Sequence, residues 1–390
     1  MSYDERLKLY KLLTNQPKNI VINNNDCSIV NRTEKSFKIN DRKYKNIAKG
    51  GSGTIFKVEL FINDKKYVFS IKILQIPKQI ANISNEENTS VKGWKEVFML
   101  KKSNQFLINK RTQNLPFFYG YNICPIINNN IQYNNFILYN ELANGSFMDW
   151  IKEKHSSDEW KSFYFQIWSV MRLLQKELKF MHKDLRFDNI LYHKINKEQN
   201  QIYWKYTIDD TEYYVKNCGY VFILWDFGSW SSLDMLDTLQ KSKINLKEYF
   251  ETNQDLQKIN QELYKRIQAL QIEDQYTSDE LYNILKNKGY ENEIKKQMKE
   301  SNIYIQNNGK KSFRYDYYLH SLLGFIVIEN NLYVELYDET EKKLYLPPSD
   351  IKIMLDQISE KDSMKNPDYL IDKYLSEYKQ VHDYKDEFVI

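Results

Sequence analysis

The sequence predicts an α+β chain whose two classes are segregated along its length. Three observations carry this. Strand-like text runs from Ser36 to Leu74 and again over 117–127 and 131–142. One helical pattern interrupts it between these blocks. After Asn144-Gly145 the periodicity turns helical, headed by the long apolar segment WKSFYFQIWSVMRLLQKELKFMH.

Each element has its own ground. Residues 1–36 form a polar N-terminal extension, with a short helical pattern (Leu7, Tyr10, Leu12, Leu13) before an Asn-rich stretch. FKINDRKYKNIAKG, GTIFKVELFI and KKYVFSIKIL alternate or run apolar between Gly and Asn-Asp breaks, which predicts an antiparallel sheet of at least three strands. A helix is expected from about Ser90 to Ser103, with Trp94, Val97, Phe98 and Leu100 on one broad face. Asn128-Asn129-Asn130 divides two further strands. A boundary falls near 142–146, and the long helix that follows has Asp158 as its expected N-cap. There is no internal repeat.

Composition bounds the function. The chain has 390 residues, enough for two or three domains or one large two-lobed domain. With 56 basic against 52 acidic residues the net charge is +4, which argues against a dedicated nucleic-acid binder. Three scattered cysteines, Cys27, Cys124 and Cys218, show no C-x-x-C spacing. Neither a zinc site nor a disulfide framework is therefore expected, and the setting reads as reducing and intracellular, cytoplasmic or nuclear. No apolar run reaches membrane-spanning length and the N-terminus has no signal-type apolar core, so no membrane span is expected. With only 11 glycines in the chain, three within four positions are informative.

Those three are Gly50, Gly51 and Gly53, which with Ser52 sit between two predicted strands, just before Ile55. Glycines let a hairpin approach a phosphate chain and offer it backbone N–H groups. The plain alternative is an ordinary hairpin turn. A strand follows the loop and leads to Lys72, about one hairpin later, within reach of phosphates held under the loop. A lysine buried there needs a counter-charge. Glu96 on the predicted helix is the best candidate, with Glu86 and Glu87 as alternatives.

The segment MHKDLRFDNIL packs a histidine, two aspartates, an asparagine and two basic residues between an apolar helix and an apolar strand. Polar groups held there need mutual hydrogen bonds or a ligand. Asp184 can orient a substrate hydroxyl or accept its proton, and Asn189 can coordinate a hard cation. The spacing of the two fits a phosphoryl-transfer template. Farther on, the buried strand YVFILW ends in Asp226-Phe227-Gly228. An aspartate at the end of such a strand calls for a cation or donors.

In this order, from about residue 40 to about 230, these segments resemble the eukaryotic protein kinase superfamily. The resemblance implies a bilobal protein-kinase-like fold, with an antiparallel-sheet N-lobe over 37–142 and a mainly helical C-lobe over 143–390. It implies ATP in the cleft, Mg²⁺, and a protein substrate. By position, Gly50 and Gly53 match the last two glycines of the phosphate-covering loop, and Ile55 its valine. Lys72 matches the lysine on the α- and β-phosphates and Glu96 its helix partner. ILYNELANGSFMDWI resembles the hinge, with Tyr139 as gatekeeper and with Asn140 and Leu142 offering backbone groups to adenine. Asp184 matches the catalytic base, Asn189 the second metal ligand and Asp226 the main one. Arg186 stands where it would contact the γ-phosphate.

The departures are specific. Ala48 replaces the first glycine of the loop and Ser70 the usual alanine before the lysine. Lys183 replaces the arginine before the catalytic aspartate, which removes a bidentate fork. There is no Ala-Pro-Glu. The text from Arg314 to Gly324 resembles the start of the large C-lobe helix, with Asp316 in its anchoring position. That leaves an insert near 229–310, whose Leu256, Ile259, Leu263, Ile267 and Leu270 fall at helical spacing. A second insert near 192–222 reads as a hairpin turning at Asp209-Asp210, then a turn at Asn217-Cys218-Gly219. The placement of these inserts resembles haspin-like kinases and protein kinases of large DNA viruses. The expected activity is transfer of the γ-phosphate of ATP to a protein hydroxyl, serine or threonine. The competing readings are a small-molecule kinase of the aminoglycoside-phosphotransferase type and a pseudokinase scaffold.

Overall fold

A computed structural model describes residues 1–14, 22, 24–30, 32, 34–50, 53–77, 92–128, 131–182, 185, 189–195, 203–232, 303–307, 310–314, 337–338, 343–344, 347–357 and 367–390. The chain divides into two compact units. The first comprises Met1–Leu173, Arg186–Trp230 and Tyr345–Ile390, and the second Leu174–Leu185 and Ser231–Leu344.

The first unit opens with helix α1 (Tyr3–Thr14) and a 3-10 turn (Asn24–Ile29). A six-stranded sheet follows, with β1 (Ser36–Ile39), β2 (Arg42–Gly50), β3 (Gly53–Ile62), β4 (Lys65–Pro77), β5 (Phe118–Asn128) and β6 (Ile131–Asn140) in the order β1-β2-β3-β4-β6-β5. Every neighbouring pair is antiparallel. The expected three strands and two more are all present, with one additional strand at the edge. Alternation explains β3: Phe56, Val58 and Leu60 are buried and the residues between them are not. A bulge on β2 between Asn46 and Ala48 turns Ile47 outward, where it is 47% exposed.

Helix α2 (Lys92–Ile108) begins close to the predicted start and runs past the predicted end. It lays Trp94 edge-on against Phe136 of β6, with ring centroids 4.9 Å apart. Short β7 (Gly145–Ser146) and one-turn α3 (Phe147–Trp150) come next. Ser146 and Asp149 cap α3 reciprocally. Helix α4 (Ser157–Leu178) buries Trp160, Phe163, Tyr164, Ile167, Trp168 and Met171 along one side. Its cap differs from the expectation. Ser156, not Asp158, exchanges hydrogen bonds with the residue three places on, Ser156 N to Glu159 Oε2 at 2.8 Å and Glu159 N to Ser156 Oγ at 3.3 Å.

The second unit begins at Leu174, inside α4, and holds β8 (Phe180–Met181). Back in the first unit, β9 (Ile190–Lys194) pairs with both β7 and β12 (Tyr220–Leu224). Between β9 and β12 comes the hairpin of β10 (Tyr203–Ile208) and β11 (Thr211–Lys216). It turns where expected, with positive φ of 45° at Asp209 and 66° at Asp210, the pattern of a type I′ turn. Asn217 Oδ1 accepts from Gly219 N at 2.9 Å in the second expected turn.

In the second unit β8 pairs with β13 (Ser231–Ser232), β14 (Ile303–Asn307) with β15 (Lys310–Arg314), and β16 (Tyr337–Asp338) with β17 (Lys343–Leu344). Arg314 thus closes a strand where the sequence reading starts a helix. Residues 315–324, with Asp316, and the helical pattern from Leu256 to Leu270 lie outside the described residues.

The first unit ends with α5 (Ser349–Gln357), α6 (Pro367–Tyr374) and β18 (Asp386–Val389). Strand β18 runs parallel to β10. The rings of Phe388 on β18 and Tyr3 on α1 meet edge-on at 5.6 Å, and Tyr3 OH donates to Leu107 O at 2.6 Å. The N-terminal extension is therefore part of this unit's core. It is held a second time by a disulfide between Cys27 and Cys124 of β5, whose Cα atoms are 5.4 Å apart. This corrects the expectation that the cysteines do not pair. The partners lie 97 residues apart, a separation that no spacing motif encodes. The cysteine argument for a reducing compartment falls with it. Cys218 is free and buried. Among the described residues, no helix is long and apolar enough to cross a membrane.

Candidate functional site

Strand β4 carries Lys72 on a face where neighbouring side chains are packed, so its side chain is only 3% exposed. Such a charge is costly unless paired. Two carboxylates from separate elements meet it. Lys72 Nζ donates to Glu96 Oε1 of α2 at 2.7 Å and to Asp226 Oδ1 at 2.8 Å. Burial alone would lower the lysine pKa. The charges of Glu96 and Asp226 outweigh it and hold the pKa above the ordinary lysine value. Of the three candidate partners named from the sequence, Glu96 meets Lys72 in the structure; Glu86 and Glu87 lie outside the described residues.

Asp226 reaches the lysine from the end of β12. Its backbone is left-handed, with φ 59° and ψ 70°, and it precedes a 3-10 turn over Phe227–Ser229. That conformation costs an ordinary L-residue about 1–2 kcal/mol and is tolerated best by Gly, Asn and Asp. The strand beneath is pinned by a buried amide pair. Asn114 Nδ2 donates to Phe222 O at 2.8 Å and to Gln166 Oε1 at 2.7 Å, and Gln166 Oε1 in turn accepts from Phe222 N at 3.0 Å.

Asn189 joins this end of the sheet. Its backbone oxygen accepts from Trp225 N at 2.9 Å, the residue before Asp226, and its side chain is almost wholly buried. The Asn189 amide and the Asp226 carboxylate, at the adjoining ends of β9 and β12, carry oxygen donors of the types a hard divalent cation takes.

Helix α2 is tied to the same turn by two contacts that sequence reasoning did not find. Trp230 Nε1 donates to Lys95 O at 3.1 Å, and the Trp230 ring stacks on Phe98 at 5.5 Å. Glu96 is thereby fixed from the side of Asp226 as well as through Lys72. The Trp225 ring lies 5.8 Å from Lys72 Nζ. Isolated tryptophans carry no motif, so no sequence signal marked either.

The glycine loop joins β2 to β3. Gly50 ends β2 and pairs with Gly53, while Gly51 and Ser52 lie outside the described residues. Gly53 has a steric reason to be glycine. Its φ is +146°, and a Cβ there would stand 2.1 Å from Ile73 O on β4. Ile55 stands opposite Lys72 in the β3–β4 register.

At the far end of β6, Tyr139 is fully buried and its hydroxyl accepts from Asn122 Nδ2 at 3.1 Å. Asn140 is buried and Leu142 half-buried. Ser70 Oγ, two residues before Lys72, donates to Glu141 O at 2.9 Å and, more weakly, to Asn140 O at 3.3 Å. Ser70 thus couples β4 to this segment. Asp184 and Arg186 lie outside the described residues.

The structure therefore brings together Lys72, Glu96 and Asp226, sets Asn189 beside Trp225-Asp226, and places Ile55 across from Lys72. No protein-family model matches the chain. The chain is similar to a protein of Invertebrate iridescent virus 6 named a probable serine/threonine-protein kinase, 380R, with 27% identity over 221 residues. The match takes in 54% of this chain and 40% of that protein, so less than half of the relative's length is represented. This similarity points to a kinase-like family.

Proposed function

We propose that the chain is an ATP-dependent protein kinase that transfers the γ-phosphate to a serine or threonine hydroxyl. The observation that supports this best is the convergence of Lys72, Glu96 and Asp226 from β4, α2 and the end of β12 at 2.7 and 2.8 Å. A lysine held cationic between two carboxylates is suited to phosphate oxygens. A carboxylate that already faces it from a strand end is suited to a cation beside those phosphates.

In this reading Asn189 and Asp226 hold Mg²⁺, the oxygen-donor pair fitting a hard cation. When bound, Mg²⁺ and ATP supply the reactive phosphoryl group and screen its charge. Lys72 orients the α- and β-phosphates, and Glu96 keeps Lys72 in place. The backbone at Gly50, Gly51, Ser52 and Gly53 covers the phosphates, and Ile55 packs against the base. Asn140 and Leu142 offer it main-chain groups. Asp184 orients the acceptor hydroxyl and takes its proton, while Arg186 offsets charge on the transferred group. The two-lobed arrangement, with 37–142 as one lobe and 143–390 as the other, belongs to the same reading, as do a protein partner and an intracellular location.

The test is autophosphorylation and transfer to a peptide library by the full chain, with residue mapping, beside an Asp226→Ala variant. Loss of at least 100-fold in transfer with retained fold is expected. Full activity in the variant would sink the assignment. An aminoglycoside or other small alcohol accepting phosphate in place of peptides would transfer the chemistry to the small-molecule reading. Nucleotide binding with no phosphate moved would make the chain a scaffold.

A further inference from the structure

Among the described residues of the first unit, a second set of buried charges lies outside the Lys72 cluster, and the proposed chemistry does not use it. Arg6 of α1 is completely enclosed, and its side chain makes four hydrogen bonds. Its Nε donates to Glu141 Oε2 at 2.9 Å and Nη2 to Glu141 Oε1 at 2.5 Å. Nη1 donates to Gln113 O at 2.6 Å and Nη2 also to Leu115 O at 2.5 Å. The guanidinium thus grips a carboxylate with its fork and two carbonyls of the 113–115 segment with its remaining edge.

Glu141 is gripped from other sides too. Phe117 N donates to Glu141 Oε1 at 3.1 Å, and Glu141 N donates to Phe117 O at 3.0 Å. His193 of β9 stands 3.6 Å from Glu141 Oε2, four residues after Asn189. Ser70 Oγ holds the Glu141 carbonyl, as described above. The main chain of Glu141 lies between Asn140 and Leu142, the two residues assigned to the nucleotide base. One buried arginine, from a helix 135 residues earlier in the chain, is therefore bonded to the residue at the centre of that segment.

We propose that Arg6 is a positioning residue for the nucleotide: it fixes Glu141, and through it the Asn140–Leu142 main chain that meets the base. The proposal rests on the kinase reading. A misplacement of such groups by about 1 Å is enough to weaken binding or turnover markedly. Lysine cannot substitute fully, because a single ammonium offers no fork and cannot span Glu141, Gln113 and Leu115 together.

The experiment uses the full chain and four proteins: wild type, Arg6→Met, Arg6→Lys and Tyr3→Phe. Tyr3→Phe removes the α1 bond to Leu107 and leaves Arg6 intact. For each, ATP·Mg²⁺ affinity is titrated directly, and KM for ATP, KM for the acceptor and kcat are measured beside circular dichroism and Tm. A rise of at least tenfold in the ATP Kd and KM is expected for Arg6→Met, with acceptor KM and kcat within about twofold. Arg6→Lys should fall between it and wild type, and Tyr3→Phe should match wild type in ATP KM.

An unchanged ATP KM in folded Arg6→Met overturns the proposal. So does a fall in kcat alone, which marks a purely structural role. An equal rise in Tyr3→Phe also overturns it, because docking of the whole helix would then be responsible. If Arg6→Met does not fold, Arg6→Lys decides: an ATP KM equal to wild type counts against the proposal, and a raised one supports it. Wild type that binds no nucleotide removes the kinase reading itself. Wild type that binds ATP as tightly as folded Arg6→Met removes only the role of Arg6.

Discussion

Two buried ionic groups respond differently to substitution, because they differ in what surrounds them. Lys72 joins two carboxylates, one of them fully buried. Lys72→Met keeps the bulk of the side chain and strands Glu96, so unfolding free energy should fall by about 3 kcal/mol. On the kinase reading proposed above, phosphoryl transfer should fall at least 100-fold in the same variant, with denaturant melts and a transfer assay as the two readouts. Glu141 is a pH-dependent case. Burial would raise its pKa, but Arg6 and then His193 outweigh that and bring it from 4.5 to about 2. A depressed carboxyl contributes stability that is complete above about pH 4.5 and is lost as pH falls toward 2. Burial depresses His193 below its ordinary 6.5, despite the pull of Glu141. The unfolded chain therefore binds that proton first, and stability starts to decline below pH 6.5. Denaturant melts between pH 7 and 2 should show an acid loss of about 3 kcal/mol assignable to Glu141. Glu141→Gln should lower stability at pH 7, by leaving Arg6 uncompensated, and flatten the limb below pH 4.5.

Among the elements, those announced by local chemistry were legible in advance. The hairpin over 203–216 turned at its two aspartates, and α2 and α4 followed their apolar stripes. The α4 cap was misread because Asp158 and Ser156 are both good caps. The choice between them was made by Glu159, three residues beyond Ser156. Lys72 lies on a strand and Glu96 on a helix, as the pattern of each segment predicts. The β2–β3 loop gives a sharp element-level test. Gly53→Ala would push a methyl into the Ile73 carbonyl of the neighbouring strand, and backbone cannot swing aside as a side chain can. A loss of about 2–4 kcal/mol is expected. At Gly145 the nearest obstacle is the Tyr192 ring at 2.9 Å, which can rotate, so Gly145→Ala should cost less. Equal midpoints in urea for the two variants would contradict this ranking.

For the molecule as a whole, what the sequence hid was long-range. Arg6 to Glu141, Cys27 to Cys124, and β18 beside β10 join residues that no local pattern relates. A buried arginine reads in sequence like any solvated one, and pairing is decided only when the chain closes. The disulfide fastens the N-terminal extension across a 97-residue separation. Cys27→Ser, or reduction of the wild type, should lower unfolding free energy by about 2–4 kcal/mol. Coincident melts of oxidised and reduced protein would contradict that. The meeting of Tyr3 with Phe388 has a kinetic side. Contacts between residues so distant in sequence raise the contact order of the first unit, and loop-closure entropy must be met before they form. Helix α1 and strand β18 should then join late in refolding, after the sheet and α4 have condensed. The grip of Arg6 on Glu141 would belong to the last events of folding rather than to its nucleus.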